Sequence, residues 1–163
     1  MKTMFFYQTS IGKLAIAENG QAVTNLYFDE GAIPHEAIYE ETGLLCEAGR
    51  QLQEYLAGSR QAFDLPLAPE GTVFMQRVWE ALLTIPYGET RTYREIAEAI
   101  GSPTAARAVG HANSKNPLSL FIPCHRVIGA KGELTGYLGG LDRKQFLLEL
   151  EKRIVAKGKQ GRR

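Results

Sequence analysis

The chain has 163 residues, 44% hydrophobic and 23% charged, which is ordinary globular composition for one domain or two small ones, and no apolar run nears the ~20 residues that span a bilayer. Its two cysteines, Cys46 and Cys124, argue against a disulfide framework, and Gln8, Thr9, Ser10 and Lys13 break the first apolar run too soon for a secretory signal, so a cytoplasmic location is expected. The net charge of +1 conceals two unlike halves: residues 1–71 carry four Lys/Arg against ten Asp/Glu, a net of −6, and residues 72–163 carry fifteen against eight, a net of +7.

Only the second half is therefore a candidate for binding a polyanion, the alternative being a solvated basic face. In chain order, MFFYQTS, KLAIAEN and AVTNLYFDE read as strands, with SIG and ENGQ as turn signals between them: an antiparallel meander. In HEAIYEETGLLCEAGRQLQEYLAG, Leu44, Leu45, Ala48, Leu52, Tyr55 and Leu56 form a helical stripe closed by Gly58, with Cys46 inside it as a structural residue. The proline-rich DLPLAPEG, where the charge balance changes, reads as a linker.

TVFMQRVWEALLTI repeats its apolar residues at Phe74, Val78 and Leu82, an amphipathic helix broken by PYGE. TYREIAEAI opens with Thr92 and Glu95 at capping-box spacing and ends at Gly101; SPTAARAVGHAN follows with Ser102 as N-cap and Pro103 at the first helical position. Two short helices across a glycine turn have helix-turn-helix form. The second is nearly all small side chains (Thr104, Ala105, Ala106) around one long cation, Arg107. That composition suits close approach to a duplex groove, although alanines also pack helices in ordinary cores. LFIPCHRVIG reads as a strand that turns at Pro123, DRKQFLLELEKRIVA as a helix with a start capped by Asp142 and Gln145, and KGKQGRR as a disordered basic tail. The expected domains are 1–71 and 72–156, followed by the tail, 157–163.

The pair Cys124–His125 allows a metal site, a nucleophile with its base, or a buried inert cysteine beside a surface histidine. Zinc needs paired ligand spacings, and Cys46, Cys124, His35, His111 and His125 are scattered, so no metal is expected. Neighbours on a strand point to opposite faces, so a bent backbone or a bridging water is needed to join thiol and imidazole. A free thiol has a pKa near ~8.5 and needs an electropositive partner or a base to ionise at neutral pH. His125 fits that role if a carboxylate holds its tautomer, and Glu133, Glu149 and Glu151 are the candidates in sequence. These residues alone leave the nucleophile and the inert cysteine equally open.

IPCHRVIG resembles the active-site motif of the O6-alkylguanine-DNA alkyltransferases, or methylated-DNA–protein-cysteine methyltransferases. The resemblance runs from Val78 to Glu151 almost without a gap and is highly specific. The first seventy residues resemble the family's variable N-terminal domain only in length and in their sheet-plus-helix pattern. The implied fold is α+β: a small ribonuclease-H-like antiparallel sheet with a helix, then a mostly helical winged-helix (helix-turn-helix) domain.

The resemblance implies roles residue by residue. Cys124 matches the alkyl acceptor, His125 the base that reaches the thiol through a water, and Glu151 the carboxylate orienting it. Asn116 matches the asparagine tying the helix-turn-helix to the active-site strand. Arg107 matches the arginine that enters the duplex from the minor groove and fills the gap left by a flipped nucleotide, with Thr104, Ala105 and Ala106 beside it on DNA. Tyr93 matches the tyrosine that helps rotate the nucleotide and donates to the base. Val127, Tyr137 and Leu138 match the pocket wall, the Leu138 amide facing the guanine oxygen. The implied reaction is a stoichiometric, irreversible transfer from O6-alkylguanine, with O4-alkylthymine as a further candidate, in double-stranded DNA, by a monomer without cofactor. Leu138 and Thr135 depart from the small residues and glycine of many relatives, which puts bulky adducts in question. The rivals are a non-catalytic sensor of alkylated DNA with the same fold and a cysteine hydrolase; the first lacks the acceptor that Cys124 supplies, and the second needs an oxyanion hole that these motifs do not offer.

Overall fold

A computed structural model describes residues 1–160, in which the chain separates into two compact units, Met1–Glu70 and the segment from Gly71 onward. None of the described helices is long and apolar enough to cross a membrane.

In the first unit the three expected strands form: β1 (Lys2–Thr9), β2 (Gly12–Glu18) and β3 (Val23–Tyr27), antiparallel in sequence, with a bulge at Ala17/Glu18. A fourth strand, β4 (Ala37–Tyr39), lies parallel to β1 and completes the order β3-β2-β1-β4. Its three residues sit within a stretch whose pattern reads as the approach to a helix, and only pairing with β1 makes them a strand.

The helix α1 (Gly43–Leu56) begins at Thr42, whose hydroxyl accepts from the Leu45 amide at 3.2 Å. Thr42 satisfies an amide that the helix cannot, which sets the start. Leu45, Ala48, Leu52 and Tyr55 are buried, as are Met4, Leu14, Ile16 and Leu26 of the sheet. Cys46, expected to be structural, is exposed on α1. The expected linker is also more than a linker: Val23 donates to the Pro66 carbonyl at 2.8 Å and Ala68 donates back to Val23 at 2.9 Å, so it covers the free edge of β3.

The second unit is mostly helical: α2 (Val73–Leu82), α3 (Tyr93–Ala99), α4 (Ala106–Ser114) and α5 (Leu141–Gln160), with a two-residue parallel pairing of β5 (Arg91–Thr92) and β6 (Val127–Ile128). The capping box of α3 forms in both directions, Glu95 N to Thr92 Oγ1 at 3.1 Å and Thr92 N to Glu95 Oε1 at 3.0 Å. The start expected for α4 does not form. Residues 102–105 make a turn closed by Ala105 N to Ser102 O at 2.9 Å, so Ser102 and Pro103 lie outside the helix and Ala105 precedes it without a side-chain cap. Val78, Trp79 and Leu82 of α2 pack with Val109 and Ala112 of α4 in the buried core, and the Trp79 indole donates to the Ala112 carbonyl at 2.9 Å.

Two expectations at the end of the chain change. Asp142 lies within the first turn of α5 rather than capping it, and the helix takes in residues 157–160 of the expected tail. Residues 161–163 lie outside the described residues.

Candidate active site

The segment leading to the sulfur is not a strand. Ile122 N donates to Leu118 O at 2.8 Å, Leu120 has φ 77°, and Pro123 (φ −78°, ψ 64°) is spanned by Cys124 N to Ile122 O at 2.7 Å. The last is an inverse γ-turn, a shape proline's fixed φ favours. Cys124–Arg126 then form one helical turn before β6. The apolar run reads as a strand because every residue from Leu118 to Val127 is buried, and burial on all sides erases the period that separates strand from packed turn. Leu120 in the left-handed region is a strained, buried hinge of a kind that costs about 1–3 kcal/mol and persists only where packing enforces it.

Asn116 anchors this turn. Its amide donates to Ile122 O at 2.9 Å, its oxygen accepts from Leu118 N at 3.0 Å, and it is 2% exposed. Cys124 is 3% exposed, with its sulfur 3.7 Å from the Ser119 hydroxyl and its carbonyl 3.4 Å from the Asn113 amide. Burial pushes the Cys124 thiol up from its ordinary value; hydrogen bonds from Asn116 and Ser119 and the charge of Lys144 pull the other way without overcoming it. The thiol is therefore protonated at rest and needs a base.

His125, bonded to Glu151, is the candidate. The imidazole Nε2 and Glu151 Oε2 are 2.8 Å apart, and both side chains are buried. Arg126 donates from Nε to Glu151 Oε1 at 2.8 Å and from Nη2 to Oε2 at 2.9 Å, its Nη1 reaches Ile85 O at 2.8 Å, and Gly88 N donates to Glu151 Oε1 at 3.0 Å. Burial pushes the Glu151 carboxyl up, but His125 and Arg126 outweigh it and hold the pKa at about 2. An ionised Glu151 can only accept, so Nε2 carries the imidazole hydrogen and Nδ1 is the basic nitrogen. Burial lowers the His125 pKa, opposed by Glu151 and reinforced by Arg126, so the ring is a neutral base at physiological pH. Of the other carboxylates considered, Glu133 is exposed and accepts from Lys131 N, and exposed Glu149 accepts from Gln145.

Three residues of this site go unassigned in the sequence. Arg126 stands inside the quoted motif, yet nothing in a motif tells a buried arginine from a surface one. Gly88 in PYGE has φ 82°, and a β-carbon there would lie 2.5 Å from Val155 Cγ2; only glycine lets this turn reach α5 and its carboxylate. Lys144 is fully buried, donating to Val127 O at 2.6 Å and Thr135 O at 2.8 Å, and burial lowers its pKa. One signal was available: Lys144, Leu147 and Glu151 fall at spacings of three and four on α5, which places two charges on its buried stripe.

The remaining expected residues lie on β6, at the start of α3, on and before α4, and in the loop that leads to α5. Val127 is buried on β6, and Tyr137 has a buried hydroxyl oxygen, while Leu138 is 64% exposed. Tyr93, the first residue of α3, is half-buried, with its hydroxyl 2.5 Å from that of Thr135. On α4 and just before it, Thr104 and Arg107 are exposed and Ala105 and Ala106 half-buried. No hydrogen bond or ion pair engages the Arg107 guanidinium among the described residues. A groove of about 610 Å³, lined by Thr72, Phe74, Met75, Arg107 and His111 among others, opens beside this helix; it does not include Cys124. Among the described residues no group of three or more His, Cys, Asp or Glu could hold a metal ion.

Comparison with known proteins places both units. Residues 4–69 match the 6-O-methylguanine DNA methyltransferase ribonuclease-like domain, and residues 73–153 match the 6-O-methylguanine DNA methyltransferase DNA-binding domain. The chain is 53% identical over 148 residues to the methylated-DNA–protein-cysteine methyltransferase of Methanosarcina barkeri, covering 88% of this chain and 93% of that one. It is 49% identical over 152 residues to the constitutive enzyme of Bacillus subtilis, covering 89% and 92%. Among solved structures it is similar to Mycobacterium tuberculosis OGT in complex with DNA, with a TM-score of 0.88 and 51% identity over 93% of this chain and 94% of that one. With a ribonuclease-like sheet followed by a helix-turn-helix unit that buries a cysteine beside a histidine–carboxylate pair, the chain belongs to the methylated-DNA–protein-cysteine methyltransferase family.

Proposed function

We propose that this protein repairs DNA by direct reversal of damage, moving an alkyl group from the O6 atom of guanine in duplex DNA to Cys124, once per molecule. The observation that carries this is the buried His125–Glu151 bond of 2.8 Å next to a protonated, buried Cys124, in a chain so similar to a DNA-bound relative.

His125 Nδ1 takes the thiol proton, through a bridging water as the family resemblance implies, and Glu151 stabilises the imidazolium that results. The thiolate forms the sulfur–carbon bond as the carbon–O6 bond breaks, and that electron pair leaves with the base, which regains a proton and becomes ordinary guanine. Hydrogen bonds from Tyr93 and from the Leu138 amide to the base oppose the charge that develops on it. Val127 and Tyr137 form the pocket wall, and Asn116 holds the turn that aims the sulfur. The base must leave the stack to reach a buried sulfur, at a cost of a few kcal/mol. An unengaged Arg107, flanked by the small Thr104, Ala105 and Ala106, offsets part of that cost by filling the gap. The thioether product is inert to water, so no turnover follows. In this role the protein is a cytoplasmic monomer that accepts O6-alkylguanine, with O4-alkylthymine as a further candidate substrate.

The test is intact mass after incubation with a duplex carrying one O6-methylguanine. One methyl group per protein, mapped to Cys124 and lost in Cys124→Ser, is expected. Binding without transfer would indicate a sensor, and multiple turnover on an ester a hydrolase; either result, or a methyl group found elsewhere, overturns the proposal.

A further inference from the structure

Tyr93 is tied to the acceptor segment twice. Through the backbone, Thr92 pairs with Ile128 and Arg91 with Val127, so the start of α3 is fixed to the strand that follows Cys124. Through the side chain, the Tyr93 hydroxyl meets the Thr135 hydroxyl at 2.5 Å. Thr135 is itself fixed, because Lys144 donates to its carbonyl at 2.8 Å and to Val127 O at 2.6 Å. One fully buried ammonium thus sets the distance between β6 and the residue that meets Tyr93.

A bond between two hydroxyls has two directions, and they differ in what they leave for a substrate. A tyrosine has one hydroxyl hydrogen. Given to Thr135, it is no longer available to a nucleic acid. If Thr135 donates instead, the Tyr93 hydrogen stays available, and accepting a hydrogen bond makes that hydroxyl the stronger donor. We propose that Thr135 is a positioning residue for the reaction: its hydroxyl donates to the Tyr93 oxygen, and so turns the Tyr93 hydrogen toward the flipped alkylated nucleotide. This rests on the role given to Tyr93 above. The chain Lys144–Thr135–Tyr93 makes the pocket loop part of the base-reading machinery, beyond serving as its wall.

Single-turnover methyl transfer from an O6-methylguanine duplex tests this in four variants, with thermal melts to show that each is folded. Thr135→Val keeps the shape and removes the hydroxyl; transfer is expected to slow about tenfold, the scale of one hydrogen bond. Thr135→Ser restores the rate. In a Tyr93→Phe background, Thr135→Val has no further effect, since the group it orients is gone. A wild-type rate in Thr135→Val, no rescue by serine, or the same slowing in both backgrounds overturns the inference while Tyr93→Phe remains slow. If Tyr93→Phe itself reacts at the wild-type rate, the role of Tyr93 fails first and the inference falls with it.

Discussion

Glu47 on α1 and Glu151 on α5 are both held at a pKa of about 2, and the two sites show how little that number says alone. Glu47 is lowered by hydrogen bonds from Arg50 and Gln51, and its side chain is 42% exposed beside an Arg50 that is 51% exposed. Water and salt screen such a pair, and its net worth is small. Glu151 is 1% exposed and is lowered against the opposing effect of burial by His125 and Arg126. Taking a carboxylate and a guanidinium out of water costs several kcal/mol per ion, so a well-packed apolar pair would serve stability as well. The ion pairs of α1 stay where they cost little. The C-terminal unit buries His125, Arg126, Lys144 and Glu151 within one fold, a cost that the chemistry proposed for Cys124 explains.

The largest effect that could break this contrast is on the reaction itself. Glu151→Gln is expected to slow methyl transfer by about 10²–10⁴, the contribution of a positioned base, and to cost about 3–5 kcal/mol by stranding Arg126. The sign of the pH response sharpens it. Glu151 raises the His125 pKa and Arg126 lowers it. Removing the carboxylate should therefore move the acid limb of the transfer rate to lower pH, and Arg126→Met should move it to higher pH. Rates measured between about pH 4 and 8, spanning the ordinary imidazole range, decide this; shifts in the same direction would mean that charge does not tune the base.

Next come two glycines, one in each unit, where a β-carbon would collide. At Gly88 it would meet Val155 at 2.5 Å with φ at 82°, and at Gly49 the Tyr7 ring at 2.6 Å. Gly88→Ala is expected to cost about 2–4 kcal/mol, from left-handed strain and overpacking together. It should also slow transfer, because the Gly88 amide holds Glu151. Gly49→Ala gains helix propensity, which offsets part of the overlap with Tyr7, leaving about 0–2 kcal/mol. It should leave transfer unchanged once the protein is folded. Denaturant melts and single-turnover rates on both variants separate a glycine that serves the site from one that serves packing.

Much of the molecule was legible where local chemistry decides. The capping box at Thr92 and Glu95, the stripe of α1 and the three-strand meander formed as their spacing dictates. What stayed hidden depends on partners distant in sequence. β4 is a strand only because β1 lies beside it, and the 118–126 segment is a series of turns whose uniform burial mimics a strand. Ser102 and Pro103 carry every mark of a helix start, yet the chain spends them on a turn. At the site, Cys124 and His125 were visible as neighbours, and resemblance added Glu151. Arg126, Gly88 and Lys144 were not visible, since their roles arise only when α5 folds back onto the acceptor turn.

Alkylation itself probes the same packing. A methyl group on Cys124 enters a site that is 3% exposed, with Ser119 at 3.7 Å from the sulfur. Overpacking of that kind costs about 1–3 kcal/mol, so the methylated protein is expected to melt at lower temperature than the free form. An unchanged melt would mean that the turn around Leu120 yields without cost.

The smallest expected effect returns to the two carboxylates. A carboxyl lowered from 4.5 to about 2 by folding stabilises the folded state above pH 4.5 and loses that contribution as the pH falls toward 2. His125, also lowered, acts in the same direction and begins to weaken the fold below its ordinary 6.5. Glu47 has the same nominal window, but its exposed partners are screened. Glu47→Gln should therefore leave the acid-unfolding curve of the protein where it was, at low and at physiological ionic strength, while Glu151→Gln flattens it between pH 4.5 and 2. If Glu47→Gln shifts the curve as far as Glu151→Gln does, the surface ion pairs of α1 hold the fold as firmly as the buried ones, and the burial of charge around Cys124 loses its distinct standing.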